Sequence, residues 1–268
     1  MNIKTIFTAL LLSFFSTCFA QTGSFSTTIS VNGNNRTLAC FVPVDYDANK
    51  PARLMVCLHG AGDNAENYRN ALVKSFNWPS LYPNTIFICP DGGDDRSKDF
   101  YQPVGDQVVI TKAIAYGLEH YNIVKGSTIL QGFSLGGRSA LKFGLDHVDS
   151  VSNLLLNTPA IQGQADLDNK MPSSLGYQFN KASQLRIFLT VGADDYTYFG
   201  TVGQLAKILK MNDADIHYQA VPGLAHGLPA AAFTTKSKSF FDQVNQAAVD
   251  AEIFDLQTTD YVCGGQFK

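Results

Sequence analysis

The chain has 268 residues, 45% of them apolar and 16% charged, with a formal net charge of −3. That length sustains one sizeable core, and that composition excludes a disordered chain. A mildly negative balance with no basic block excludes nucleic acid as the main partner. The first segment, MNIKTIFTALLLSFFSTCFA, carries one early Lys, an apolar run from Ile6 to Phe15, and Cys18 and Ala20 at the −3 and −1 positions of a cleavage site. It reads as a secretory signal peptide over residues 1–20, ahead of a single domain over residues 21–268. The alternative reading of this segment is lipid acylation at Cys18. The apolar run is too short for a membrane span, and no second stretch reaches spanning length.

Beyond the signal, SFSTTIS and TLACFVPV flank the turn-rich VNGNN and predict an antiparallel hairpin. RLMVCLHG is a continuous apolar strand, followed by a helix-like segment over residues 65–76 and a further strand in NTIFICPDGG. VVITKAIAYGLEHYN has helical spacing, STILQGFS is a strand, and GGRSALKFGLDH begins a helix. VSNLLLNTPA and RIFLTVGADD are strands separated by a long polar segment, Gln162 to Gln184. GQLAKILKM is helical, IHYQAVPGLAH is a strand with its exit loop, and a last helix runs from Leu228 to about Ala251. Apolar strands alternating with amphipathic helices predict an α/β protein with a mainly parallel sheet covered on both faces. In such sheets ligands bind beyond the carboxyl ends of the strands.

One of those ends is the stretch LQGFSLGGRSA, where three glycines in six residues surround Ser134. Gly132-Phe133-Ser134-Leu135-Gly136 has the form G-x-S-x-G, a strand-to-helix turn that exposes a nucleophilic serine. The glycines are required because side chains two positions either side would collide with the neighbouring strand and helix. The bland reading is a Gly-rich turn whose serine caps the helix. A serine hydroxyl needs a base. Of the five histidines, His226 in VPGLAHGLP lies after the last strand, on the C-terminal side of Ser134, and is the base candidate. His120, His147 and His217 read as ordinary surface or packed residues. Asp194 and Asp195 follow the strand RIFLTVG. One orients the base and the other serves the turn or caps the next helix. With Asp195 as the acid, the order is Ser134, Asp195, His226. The oxyanion donors are the amide of Leu135 and, from the loop LHGAGDN, the amide of Ala61, with His59 positioning that loop.

The segments RTLACFVPVDYDANKPARLMVCLHGAGDNAENY, GFSLGG, VGADD and VPGLAHGLP resemble secreted α/β-hydrolases of the feruloyl esterase and polyhydroxybutyrate depolymerase type. The resemblance covers nearly all of residues 21–268. It implies the α/β-hydrolase fold and a serine esterase acting on aryl, acetyl or polyester substrates, small or polymeric, without a cofactor. In that family the acid follows a glycine as G-x-x-D, which maps onto Gly192 and Asp195. The chain departs from the pattern at Ala61, where depolymerases often carry cysteine, and in its tail TTDYVCGGQFK. A serine peptidase, or a non-catalytic carbohydrate-binding or adhesion protein on the same scaffold, is the alternative.

Tyr101, Tyr196 and Tyr198, with Phe199, fall on loops beside these residues and are candidates for an aromatic wall of the substrate pocket. The Gln162–Gln184 segment is the candidate for a specificity cap. Asp91, Asp94, Asp95 and Asp99 in PDGGDDRSKDF have the oxygen chemistry calcium prefers, but the favoured reading is a solvated loop, with no metal required. Cys57 and Cys89 lie in apolar runs and read as buried thiols. Cys40 and Cys263 form a possible disulfide pair.

Overall fold

The structure is a computed structural model that describes residues 21–243. The signal segment, the end of the last predicted helix and Cys263 lie outside the described residues. The described chain forms an eight-stranded sheet in the order β1-β2-β4-β3-β5-β6-β7-β8. Strands β1 (Gly23–Val31) and β2 (Asn34–Val42) pair antiparallel through the two-residue loop Asn32-Gly33. Both loop residues have positive φ, 50° and 83°, the geometry that matches a two-residue turn to strand twist. Strands β3 (Arg53–Leu58), β4 (Thr85–Pro90), β5 (Ile129–Phe133), β6 (Asn153–Asn157), β7 (Arg186–Gly192) and β8 (Asp215–Val221) run parallel, with β2 joined antiparallel to β4.

The unbroken apolar runs follow from burial on both faces. Leu54, Val56 and Leu58 of β3 enter one core with Ile86 and Ile88 of β4, while Met55, Cys57, Phe87 and Cys89 enter the other. The second core is closed by α1 (Ala65–Asn70), α2 (Trp78–Leu81) and α7 (Ala231–Asp242). The first is closed by α3 (Pro103–His120), α4 (Leu135–Asp146) and α6 (Phe199–Met211), with the short α5 (Gln164–Leu167) at its margin. The helix expected over residues 65–76 is α1 continued by a π-helical turn, Ala71–Ser75. Cys40, Cys57 and Cys89 are buried free thiols. Loss of water contact pushes the Cys40 thiol up to about 12.

Two expectations are corrected here. The loop after β4 is solvated only at its tip, where Asp95 is exposed: Asp91, Asp94 and Asp99 are buried, and Asp106 of α3 with them. Their oxygens take backbone amides in place of water. Asp91 accepts from Ala65 and Thr37, Asp99 from Gly62, and Asp106 from Gly93. Among the described residues no group of three His, Cys, Asp or Glu side chains is arranged to hold a metal ion. The Gln162–Gln184 segment is not a loosely laid cap. Leu167, Tyr177 and Ala182 enter the core, and Asp166, fully buried, pairs with buried Arg138 at 3.0 Å.

Candidate active site

The parallel strands end on one edge, and the turn from β5 into α4 stands at its centre. Ser134 takes φ 53°, ψ −117°, a sparsely populated region that costs about 1–3 kcal/mol for a residue with a side chain. Its neighbours explain how the strain is tolerated. A Cβ on Gly132 would lie 2.3 Å from the Gly136 carbonyl oxygen, and one on Gly136 would lie 2.3 Å from that of Leu58. The turn is pinned by hydrogen bonds from Ser134 N to Asn157 O and from Gly136 N to His59 O. Beneath it lies a row of buried polar side chains that the apolar strands concealed. Tyr68 Oη, Gln131, Asn157 and Thr190 are linked by hydrogen bonds of 2.9–3.1 Å across β5, β6 and β7.

His226 is carried by the loop after β8. Its Nε2 lies 3.0 Å from Ser134 Oγ, and its Nδ1 lies 2.7 Å from Asp195 Oδ2. The other oxygen of Asp195 accepts the amides of Thr197 and Tyr198, each at 3.1 Å. With all three bonds made, the carboxylate is held rigidly while buried. Since Asp195 accepts from Nδ1–H, Nε2 presents its lone pair to the serine hydroxyl. Asp194 turns outward. Its side chain is exposed and makes no hydrogen bond among the described residues, while its amide donates to Leu224 O. Residue 192 must be glycine for this arrangement, because a Cβ there would lie 2.2 Å from the carbonyl oxygens of both Leu224 and Ala225. That close approach brings the His226 loop onto the end of β7.

The loop after β3 comes up against the serine. A Cβ on Gly60 would lie 3.3 Å from Ser134 Cβ. Buried His59 donates from Nδ1 to Gly60 O at 2.7 Å. The peptide is planar and trans, so the Ala61 N–H points away from that bond. Gly62 N–H is taken by Asp99, whereas Ala61 N–H has no acceptor among the described residues. Leu135 is the first residue of α4, where an amide has no partner within the helix and the dipole favours negative charge.

The aromatic candidates separate. Tyr198 packs on the His226 ring at 5.1 Å between centroids, and Phe133 packs on it at 5.0 Å. Burial raises the Tyr198 phenol, with nearby Asp195 and then Tyr101 adding to the effect. Tyr101 is half exposed beside it, whereas Tyr196 is 96% exposed and packs on no ring among the described residues. The remaining histidines take packing roles. His217 stacks on Phe188 with its basicity lowered by burial, His120 stacks on Tyr116, and His147 meets Gln107.

No family model and no curated protein matches the chain. Solved structures do. A ferulic acid esterase from Anaeromyces mucronatus, solved with ferulic acid, is 18% identical with TM-score 0.60, over 81% of this chain and 90% of that one. An esterase of Thermogutta terrifontis phosphoramylated by tabun is 14% identical with TM-score 0.58, over 81% and 91%. A putative dipeptidyl aminopeptidase IV from Bacteroides ovatus is 12% identical with TM-score 0.64, over 84% of this chain but 36% of that one. The parallel sheet, its helices on both faces and these likenesses together give the chain the α/β-hydrolase fold.

Proposed function

We propose that the protein is a serine hydrolase of carboxylic esters. The observation that carries this reading is the unbroken hydrogen-bonded chain from Ser134 Oγ through His226 to Asp195. In this mechanism Ser134 attacks the ester carbonyl carbon while His226 Nε2 takes its proton. The carbonyl π electrons move onto oxygen. The amides of Ala61 and Leu135 donate to that oxyanion, and in comparable sites each such donor is worth about 10²–10³ in rate. The intermediate collapses, the C–O bond to the alcohol breaks, and His226 protonates the departing alcohol. Water then enters past His226, whose side chain is 37% exposed. It loses its proton to Nε2 and attacks the acyl carbon. The acid is released and the proton returns to Ser134. Asp195 keeps the imidazole in the right tautomer and balances its transient charge.

Tyr198 and Phe133, both packed against the His226 ring, favour esters with a planar aryl acyl group, of feruloyl type, over bulky aliphatic ones. This part of the reading draws on the ferulic acid esterase whose fold the chain shares. The segment over residues 1–20, read as a signal peptide, supports export and an extracellular or periplasmic place of action. Among the described residues no helix is long and apolar enough to cross a membrane. Purified protein assayed against feruloyl, short-chain acyl and hydroxybutyrate esters tests the proposal. Turnover highest on the aryl acyl ester supports it, and inactivity on every ester removes it.

A further inference from the structure

His226 stands on a loop that does little to hold it. Pro222, Gly223, Ala225 and His226 are all exposed. The backbone of the loop is pinned as far as Leu224, whose N donates to Val221 O and whose O accepts from Asp194 N. Among the described residues no backbone hydrogen bond is made by Ala225, His226 or Gly227. The imidazole therefore depends on its own contacts. These are the bonds to Asp195 and Ser134 and the rings of Phe133 and Tyr198.

One of those bonds is lost in every catalytic cycle. Once Ser134 Oγ carries the acyl group, it has no proton to donate to Nε2. The ring then hangs from Asp195 Oδ2, 2.7 Å from Nδ1. A single hydrogen bond fixes one corner of the imidazole and leaves the rest free to swing. In that interval Nε2 has to face the water whose proton it takes as the water oxygen attacks the acyl carbon.

Tyr198 is placed to limit the swing, and it is firmly anchored. Its N donates to Asp195 Oδ1 at 3.1 Å, and its carbonyl accepts Val202 N at 2.9 Å and Thr201 Oγ1 at 3.1 Å. Its ring is half-buried against the first core and lies 5.1 Å from the imidazole, a separation at which aromatic rings attract. The main chain of this residue holds the acid, and its side chain packs on the base.

We infer that Tyr198 is a positioning residue for His226, its ring keeping the imidazole turned towards the acyl-enzyme while the hydrogen bond to Ser134 is absent. This rests on the ester hydrolase reading and is separate from any contact of Tyr198 with an aryl acyl group. Loss of the ring misdirects Nε2, and a misdirected base slows the proton transfer it performs.

The test is deacylation of the acetyl-enzyme, a step in which no aryl group is bound. Stopped-flow hydrolysis of 4-nitrophenyl acetate gives the burst of acylation and the slower deacylation, and the burst amplitude counts the working sites. Tyr198→Ala and Tyr198→Phe are compared with the parent; both keep the amide that Asp195 accepts. Tyr198→Ala should deacylate about 10-fold more slowly per site, the upper weight of one aromatic contact. Tyr198→Phe, which keeps the ring, should stay within about 3-fold of the parent. A role only in the fold would shrink the burst and leave deacylation per site unchanged. A role only as a wall for aryl acyl groups would raise KM on a feruloyl ester and leave acetyl-enzyme decay unchanged. Either result overturns the inference, as does a Phe variant as slow as Ala. If Tyr198→Ala does not fold, Tyr198→Leu, which fills the space against the core without a flat face, carries the same comparison. Parent protein that hydrolyses no ester defeats the hydrolase reading. Parent turnover with deacylation indifferent to Tyr198 defeats this inference alone.

Discussion

Replacing Asp195 by Asn tests the assignment of the acid by exchanging one carboxylate oxygen for an NH₂ group. The Asn oxygen retains the Thr197 and Tyr198 amides that Asp195 Oδ1 now accepts, so the turn keeps its shape. Its NH₂ group then faces His226 Nδ1 where a carboxylate oxygen stood at 2.7 Å. Two donors cannot face each other, so the imidazole gives up the Nδ1 proton and carries it on Nε2. Nε2–H then points at Ser134 Oγ, 3.0 Å away, and has no lone pair for the serine proton. The loss expected from that tautomer is about 10⁴ in kcat, equivalent to about 5.5 kcal/mol of barrier. Asp194→Asn provides the contrast. Its exposed side chain holds no hydrogen bond among the described residues, so both rate and melting temperature should stay near the parent's, and it is Asp195 that accepts the amides of the turn. Aryl ester hydrolysis with melting curves on both variants decides the matter. The reasoning fails if Asp194→Asn is the damaged variant, or if Asp195→Asn turns over within 10-fold of the parent with its fold intact.

Other outcomes follow from single features. Gly192→Ala forces a methyl against two carbonyl oxygens; overpacking of this kind costs about 1–3 kcal/mol, and displacement of the His226 loop should cut kcat at least about 10-fold, read from melting and turnover together. Burial raises the Asp106 carboxyl from 3.8 to about 7, so the folded state holds its proton more tightly than the unfolded one. Stability from this group is therefore full below about pH 4 and falls as pH rises towards 7, at up to about 1.4 kcal/mol per pH unit. Asp106→Asn, which mimics the protonated acid, should flatten that slope in denaturant titrations at pH 5 and pH 8. Asp166→Ala leaves the Arg138 cation buried without its carboxylate; a loss of about 3–5 kcal/mol is expected. Shortening the Gln162–Gln184 segment should accordingly unfold the protein, a result that chemical denaturation would reveal before any change in ester preference.

The hydrolase fold and the three central residues were legible because their signals are local. Each strand is a short apolar run, and each candidate residue follows such a run directly. Gly132 and Gly136 mark the turn at Ser134, and the G-x-x-D pattern of the family that the chain resembles points to Asp195 over Asp194. What was not legible depends on partners distant in sequence. The acidic residues after β4 look solvated because their acceptors are satisfied by amides of other loops, as when Asp99 meets Gly62, 37 positions away. The polar segment after β6 looks like a free cap because Asp166 finds Arg138 28 positions earlier. Gln131 and Asn157 lie on strands 26 positions apart, and only the sheet register brings them together. Tyr196 and Tyr198 are equally aromatic in sequence, yet the turn at Asp195 sends one to the His226 ring and the other into solvent.

The central claim is that Ser134 is the nucleophile, and labelling tests it most directly. The protein is treated with a fluorophosphonate probe, digested, and the modified peptide located by mass spectrometry, alongside ester turnover of Ser134→Ala. The account predicts one label per chain, on the peptide containing Gly132-Phe133-Ser134-Leu135-Gly136, and turnover reduced by about 10⁶ in the variant. A label on any other serine, or parental turnover in Ser134→Ala, would contradict it.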